Sequence, residues 1–135
     1  MAAGYSKNPL IVKLGLKPGM MARFVNPPAN YLDLLGPLPD AVTIARTTRG
    51  PLDFIHCFVT KRSVLDGEFP KLKAALAKDG TLWMSWPKGG SPISTEVREN
   101  DTRAAGLAVG LVDVKVCAVD EDWSALKFVY RLKDR

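Results

Sequence analysis

The apolar positions change their period several times along the chain, and each change marks an element. Leu10, Ile11 and Leu14 have the spacing of a short helix, with Asn8 placed to accept from first-turn N–H groups, Pro9 at the first helical position and Gly15 at the exit. Pro18-Gly19 makes a turn, and residues 20–25 read as a buried strand that runs into Asn26-Pro27-Pro28. Tyr31, Leu34 and Leu35 then recur at helical spacing until Gly36-Pro37 stops them. Residues 42–45 form a second, short strand. Residues 51–59 form a third, apolar on both faces, as befits a strand lying mid-sheet between helix layers. Leu65, Phe69, Leu72 and Leu76 make the stripe of an amphipathic helix, capped by Ser63, kinked or restarted at Pro70 and ended by Asp79-Gly80. Residues 82–86 are a fourth strand and 87–92 a Gly-rich loop, followed by a helix over residues 100–109 closed by Gly110.

Two alternating runs close the chain, residues 111–118 and 125–132, around the acidic turn Asp120-Glu121-Asp122, which is the signal of an antiparallel hairpin. Strands alternating with helices elsewhere require right-handed crossovers. The predicted class is therefore α/β, a three-layer sandwich whose sheet of about six strands is mainly parallel and ends in an antiparallel hairpin.

Composition narrows the class further. A chain of 135 residues, 47% hydrophobic and 24% charged, is long enough to bury a core as one domain over residues 1–135 without disulfide or metal staples. No uncharged apolar run approaches the ~18–20 residues of a membrane span. The start, Met1-Ala2-Ala3-Gly4-Tyr5, lacks the basic-then-apolar layout of a signal peptide, so a cytoplasmic protein is expected, with no membrane partner. Cys57 and Cys117 lie in apolar runs with no Cys-x-x-Cys spacing, and His56 is the only histidine, so neither a metal site nor a redox pair is encoded. His56 is also a poor base for Cys57, because neighbours on a strand point to opposite faces. A hydrogen-bonded core role is expected for it. Asp53, at the start of its strand, reads as a turn or cap residue.

Particular segments resemble known proteins. Residues 72–83, with a strand before them and the hairpin after, are similar in layout to the C-terminal half of S-adenosylmethionine-dependent methyltransferases. Gly36-Pro37-Leu38-Pro39, Val59-Thr60, Leu82-Trp83-Met84-Ser85-Trp86-Pro87-Lys88 and the run from Gly110 to Asp120 resemble the small bacterial domain-of-unknown-function family 3052. The resemblance implies a Rossmann-like domain of bacterial origin and carries over no catalytic residue. The methyltransferase layout implies a strand order of second, first, third and fourth, then the hairpin with its last strand inserted. It also implies a glycine-rich turn after the first strand and an acid ending the second. Here Asn26-Pro27-Pro28-Ala29 follows the first strand and Arg46 the second. Prolines supply no N–H to a ligand, so the turn reads as a rigid connection started by an Asn26 cap, and no cofactor is expected.

Net charge is +5, and most of the excess lies before Gly67, with eight basic and four acidic residues. In open α/β sheets ligands bind beyond the carboxyl ends of the strands, where the strand order reverses. Those ends carry Arg46 and Arg49, Lys61 and Arg62, and Lys88, with Asn26, Trp86 and Ser91 lining the crevice between them. The acidic turn Asp120 to Asp122 shares that edge but is expected on its far side. Five cations on one rim suit a small anionic or phosphate-bearing ligand. The favoured reading is thus a Rossmann-like module with a degenerate cofactor turn that takes such an anion. The alternatives are a small adenosylmethionine-type transferase with an atypical site, partly assembled by a second subunit, and a non-catalytic subunit that meets a protein partner or itself through the hairpin edge or an exposed Trp123. The scattered cations and the lack of a recognition motif argue against sequence-specific nucleic acid.

Overall fold

The computed structural model describes residues 9–135. Helix α1 (Leu10–Leu14) leads into β1 (Met21–Val25), α2 (Tyr31–Leu35), β2 (Thr43–Ile44), β3 (Leu52–Phe58), α3 (Arg62–Ala75), β4 (Leu76–Pro87), α4 (Glu99–Ala108), β5 (Leu111–Ala118) and β6 (Trp123–Tyr130), and a single 3-10 turn (Leu132–Asp134) follows. The six strands form one sheet in the order β2-β1-β3-β4-β6-β5. The first four run parallel, while β6 pairs antiparallel with both β4 and β5. This is the order expected from the methyltransferase layout, with the last strand inserted beside β4.

Each face of the sheet carries its own core. On one side Leu65, Phe69 and Leu72 of α3 pack against Ile55, Leu82, Met84, Leu126 and Phe128, with Ala105 of α4 alongside. On the other side Leu14 of α1 and Tyr31 and Leu35 of α2 pack against Phe54, Phe58 and Trp83. Strand β3 lies between these layers, and its residues from Phe54 to Phe58 are all buried, as its two-sided apolar pattern requires. Gly106 lies so close to the Phe128 ring that any side chain would strike it. Trp83 is fully buried, and its indole N–H donates to the Leu14 carbonyl at 2.8 Å, fixing α1 to the sheet.

Several boundaries depart from the sequence reading. The expected cap at Asn8 falls outside the described residues, and Pro9 stands one position ahead of the first helical residue. Gly15 does take the left-handed exit, at φ 81°. Ser63 is not the cap of α3; it is the second helical residue, and Lys61 holds the cap position. The helix passes through Pro70 unbroken and stops at Ala75, so Leu76 and the Asp79-Gly80 segment belong to β4. The apolar stripe extended one residue too far because Leu76 is buried in either state. Its ladder with β3 starts at Leu52 and Leu76, then resumes at Phe54 and Thr81, leaving residues 77–80 opposite Asp53 alone. In the hairpin, Asp113 faces Phe128 and Lys115 faces Lys127, so Val114 is an extra residue bulged from edge strand β5.

The chain returns from β2 to β3 in residues 45–51 with no helix. Arg23 of β1 holds this return: its Nη1 donates to the Ala45 carbonyl at 3.4 Å and its Nε to Thr48 Oγ1 at 3.3 Å. Asp53 caps the start of the neighbouring strand, its carboxylate accepting the Met21 N–H at 2.8 Å.

Candidate functional site

The carboxyl ends of the parallel strands bear two separate cavities. The first, about 410 Å³, opens beyond β4 and is lined by Trp86, Pro87, Lys88, Gly89, Ser91, Ile93, Thr95 and Arg98. The second, about 480 Å³, lies over the ends of β1 and β2 and is lined by Phe24, Pro27, Pro28, Ala29, Tyr31, Leu32, Leu38 and Ile44. The β4 cavity has two cations and two hydroxyls with no acid in its lining. Among the described residues, the β1 cavity has no charged group in its lining.

The β4 cavity is held open by a loop fastened at both ends. At its start the Lys88 N–H donates to the Asp122 carbonyl at 2.8 Å, and Ser91 Oγ donates to Asp122 Oδ1 at 2.9 Å. The acidic turn therefore touches the β4 exit, and its expected place on the far side is corrected: Trp123 pairs directly with Pro87, which draws the turn beside it. At the other end the Glu96 N–H donates to the Thr60 carbonyl at 2.8 Å, and buried Val97 anchors the loop to the core. Arg98 follows, its N–H donating to Asp101 Oδ2 at 2.9 Å as α4 begins, which leaves its side chain beside the cavity.

Of the residues singled out in the sequence, Trp86, Lys88 and Ser91 meet at this cavity. Asn26, Arg46, Arg49, Lys61 and Arg62 are absent from its lining, so this cavity gathers only Lys88 of the five expected cations. Arg46 follows β2 and is exposed. Arg49 sits at the opposite edge, because the return segment has already brought the chain to the amino end of β3; the neighbouring Gly50 packs against the Ala75 backbone there. Lys61 is exposed at the cap of α3. Arg62 is paired with Asp101 at 3.1 Å, and its N–H donates to Glu96 Oε1 at 3.0 Å. The end of α3 that would attract an anion is thus already met by the chain's own carboxylate. Asn26 adopts the left-handed region at φ 54° and does not cap α2, whose cap position is Asn30. Arg98 was missed in the sequence. Its only sequence signal is that the loop leaving β4 must return across the same rim to start the next helix.

The interior holds a polar network. His56 is fully buried, with Nδ1 2.7 Å from Tyr31 Oη and Nε2 2.7 Å from Ser85 Oγ. A neutral imidazole has one donor and one acceptor, and the two hydroxyls satisfy both in either tautomer. Its ring stacks on Phe58 at 4.2 Å between centroids. Burial pushes the imidazole down to about 3 and the Tyr31 phenol well above its ordinary value. Burial, seconded by Glu68, also raises the Cys57 thiol, and burial raises Cys117. These four groups stay neutral near pH 7 and out of reach of a solute. Trp123 is buried too, edge-on to Phe58 at 5.1 Å, and so offers no exposed aromatic to a partner. Among the described residues no cluster of three His, Cys, Asp or Glu could hold a metal ion, and no helix is long and apolar enough to cross a membrane.

The fold so described is a methyltransferase-like Rossmann α/β sandwich. In sequence, no family model and no curated protein matches the chain. In structure it is similar to a SAM-dependent methyltransferase from Aquifex aeolicus, with a TM-score of 0.64, 15% identity and coverage of 88% of this chain and 86% of that one. It is similar also to the ribosomal protein L11 methylase of Lactobacillus delbrueckii subsp. bulgaricus, with a TM-score of 0.58, 13% identity and coverage of 90% and 75%. A third is the magnesium protoporphyrin IX methyltransferase of Synechocystis with bound SAH, with a TM-score of 0.59, 11% identity and coverage of 90% and 78%. The adenosylmethionine implied by that fold does not fit the first turn here. Pro27 and Pro28 present no N–H, β2 ends at Ile44 without an acid, and among the described residues the lining of the adjoining cavity has no charged partner for the amino and carboxylate ends of the cofactor.

Proposed function

We propose that this protein is a Rossmann-like binding module that takes a small anionic, phosphate-bearing ligand in the cavity beyond β4. The observation that carries the reading is the pairing of Lys88 and Arg98 in one cavity whose lining contains no acid. Lys88 supplies a point charge, and the Arg98 guanidinium fork suits two oxygens of a phosphate or carboxylate. With only two cations, affinity would be modest and would fall with salt. In this reading the protein is a cytoplasmic bacterial member of domain-of-unknown-function family 3052, on the segments that resemble it.

Titration with inorganic phosphate, nucleotides and sugar phosphates at low salt tests the reading. Binding is expected to weaken about tenfold in Lys88→Ala and again in Arg98→Ala, ~1.4 kcal/mol each. Arg49→Ala, at the other edge, should bind as the parent does. No binding by any anion, or equal binding by all three variants, would remove the proposal.

A second reading, a small transferase with an atypical cofactor site, is favoured by the strand order and fold likeness alone. Titration of the whole chain with adenosylmethionine is its test: heat of binding would support it, and no heat would remove it.

A further inference from the structure

The lining of the β4 cavity says more about its ligand than its charge does. Trp86, Pro87 and Ile93 supply apolar lining beside Lys88 and Arg98, in a space of about 410 Å³ that a lone phosphate group would fill only in part. Trp86 is 5% exposed and Pro87 is buried, so both are held by the core and show the cavity only a small, fixed apolar edge. Ile93 is fixed as well, its side chain packing against the core layer that includes Trp123 and its N–H donating to Ser91 Oγ at 3.2 Å. The hydroxyls nearby are already engaged: Ser91 Oγ donates to Asp122, and Thr95 Oγ1 donates towards the carbonyls of Thr60 and Val97 at 3.3 and 3.2 Å. These two hydroxyls are therefore not free to donate to a sugar in place of its water. Water would be displaced from the apolar lining with gain by a flat or apolar group and with loss by a polyol.

We infer that the ligand is an amphipathic phosphate monoester, its phosphate between Lys88 and Arg98 and an aromatic or otherwise apolar group against Trp86, Pro87 and Ile93. This rests on the anion-binding reading above and narrows its ligand class. Nothing in the inference requires chemistry at the site; it is a statement of selectivity. The selectivity comes from the apolar lining, since all phosphate monoesters offer the cations the same group.

The test compares phenyl phosphate, adenosine 5′-monophosphate, ribose 5-phosphate and inorganic phosphate by calorimetry on the whole chain. Phenyl phosphate and the nucleotide are expected to bind about tenfold more tightly than ribose 5-phosphate and inorganic phosphate. Ile93→Ser, a half-buried loop position, should erase most of that preference by weakening phenyl phosphate and the nucleotide about tenfold more than it weakens inorganic phosphate, and Trp86→Phe should reduce the preference in the same direction. Equal affinity for all four probes, or a preference that survives Ile93→Ser intact, would overturn this inference and leave the anion reading standing. Failure of all four to bind would overturn both.

Discussion

Acid should destabilise this protein through one buried group, His56. Its folded imidazole stays neutral down to about pH 3 because the charged form has no water around it. The unfolded chain takes up the same proton near the ordinary ~6.5. Between those values the unfolded state holds more protons than the folded one. Stability from this group is therefore whole above pH ~6.5, falls as pH drops below it, and stops falling near pH 3. The slope approaches 1.4 kcal/mol per pH unit, so that about 2 kcal/mol is lost between pH 7.5 and pH 5. Urea unfolding followed by tryptophan fluorescence at the two pH values measures this directly. The reference is an apolar triple variant, Tyr31→Phe, His56→Leu and Ser85→Ala, which removes all three members of the network and so leaves none of them unpaired. His56→Gln serves if that protein folds poorly. The parent should lose about 2 kcal/mol more than the reference on going to pH 5. A stability difference between parent and reference that is the same at both pH values would refute the buried, neutral imidazole.

Two further outcomes follow from close contacts. In Gly106→Ala the new methyl would sit 2.6 Å from Phe128 Cδ2 and Cζ, and the overpacking should cost about 1–3 kcal/mol, read as a lowered Tm. Glu96→Ala removes the carboxylate that accepts the Arg62 N–H at the start of α3, and loss of such a helix-end acceptor should cost about 0.5–2 kcal/mol by urea unfolding.

The parts of this fold that were legible in sequence are those set by local period. Strand β3 announced its central place by being apolar at every position that matters, and the hairpin by its acidic turn. What local period could not show is which distant residues share a face. Ser85 joins His56 only because Trp83 pairs with His56 and the side chain two residues on returns to the same side of the sheet. Tyr31 then reaches them from a helix formed 25 residues earlier. The candidate site failed in a similar way at Arg49. A cation that follows β2 in sequence need not stay at that end, because a return of seven residues without a helix carries Arg49 across the sheet. Arg98 lay outside the counted loop ends altogether, though the fastened loop brings it back to the cavity. Trp86, Lys88 and Ser91 line one cavity because they lie at and just beyond the end of one strand.

The extra residue in β5 has a bearing on how the molecule behaves in company. An eight-residue border strand with half-exposed Val112 and exposed Val114 and Val116 would otherwise invite a strand from a neighbouring molecule to add on. The bulge at Val114 breaks the hydrogen-bonding rhythm midway, and Lys115 places a charge next to the break. The opposite border, β2, has only two residues to offer. Deleting Val114 should make the longer border continuous, and light scattering on heating should then detect oligomers at concentrations where the parent stays dispersed.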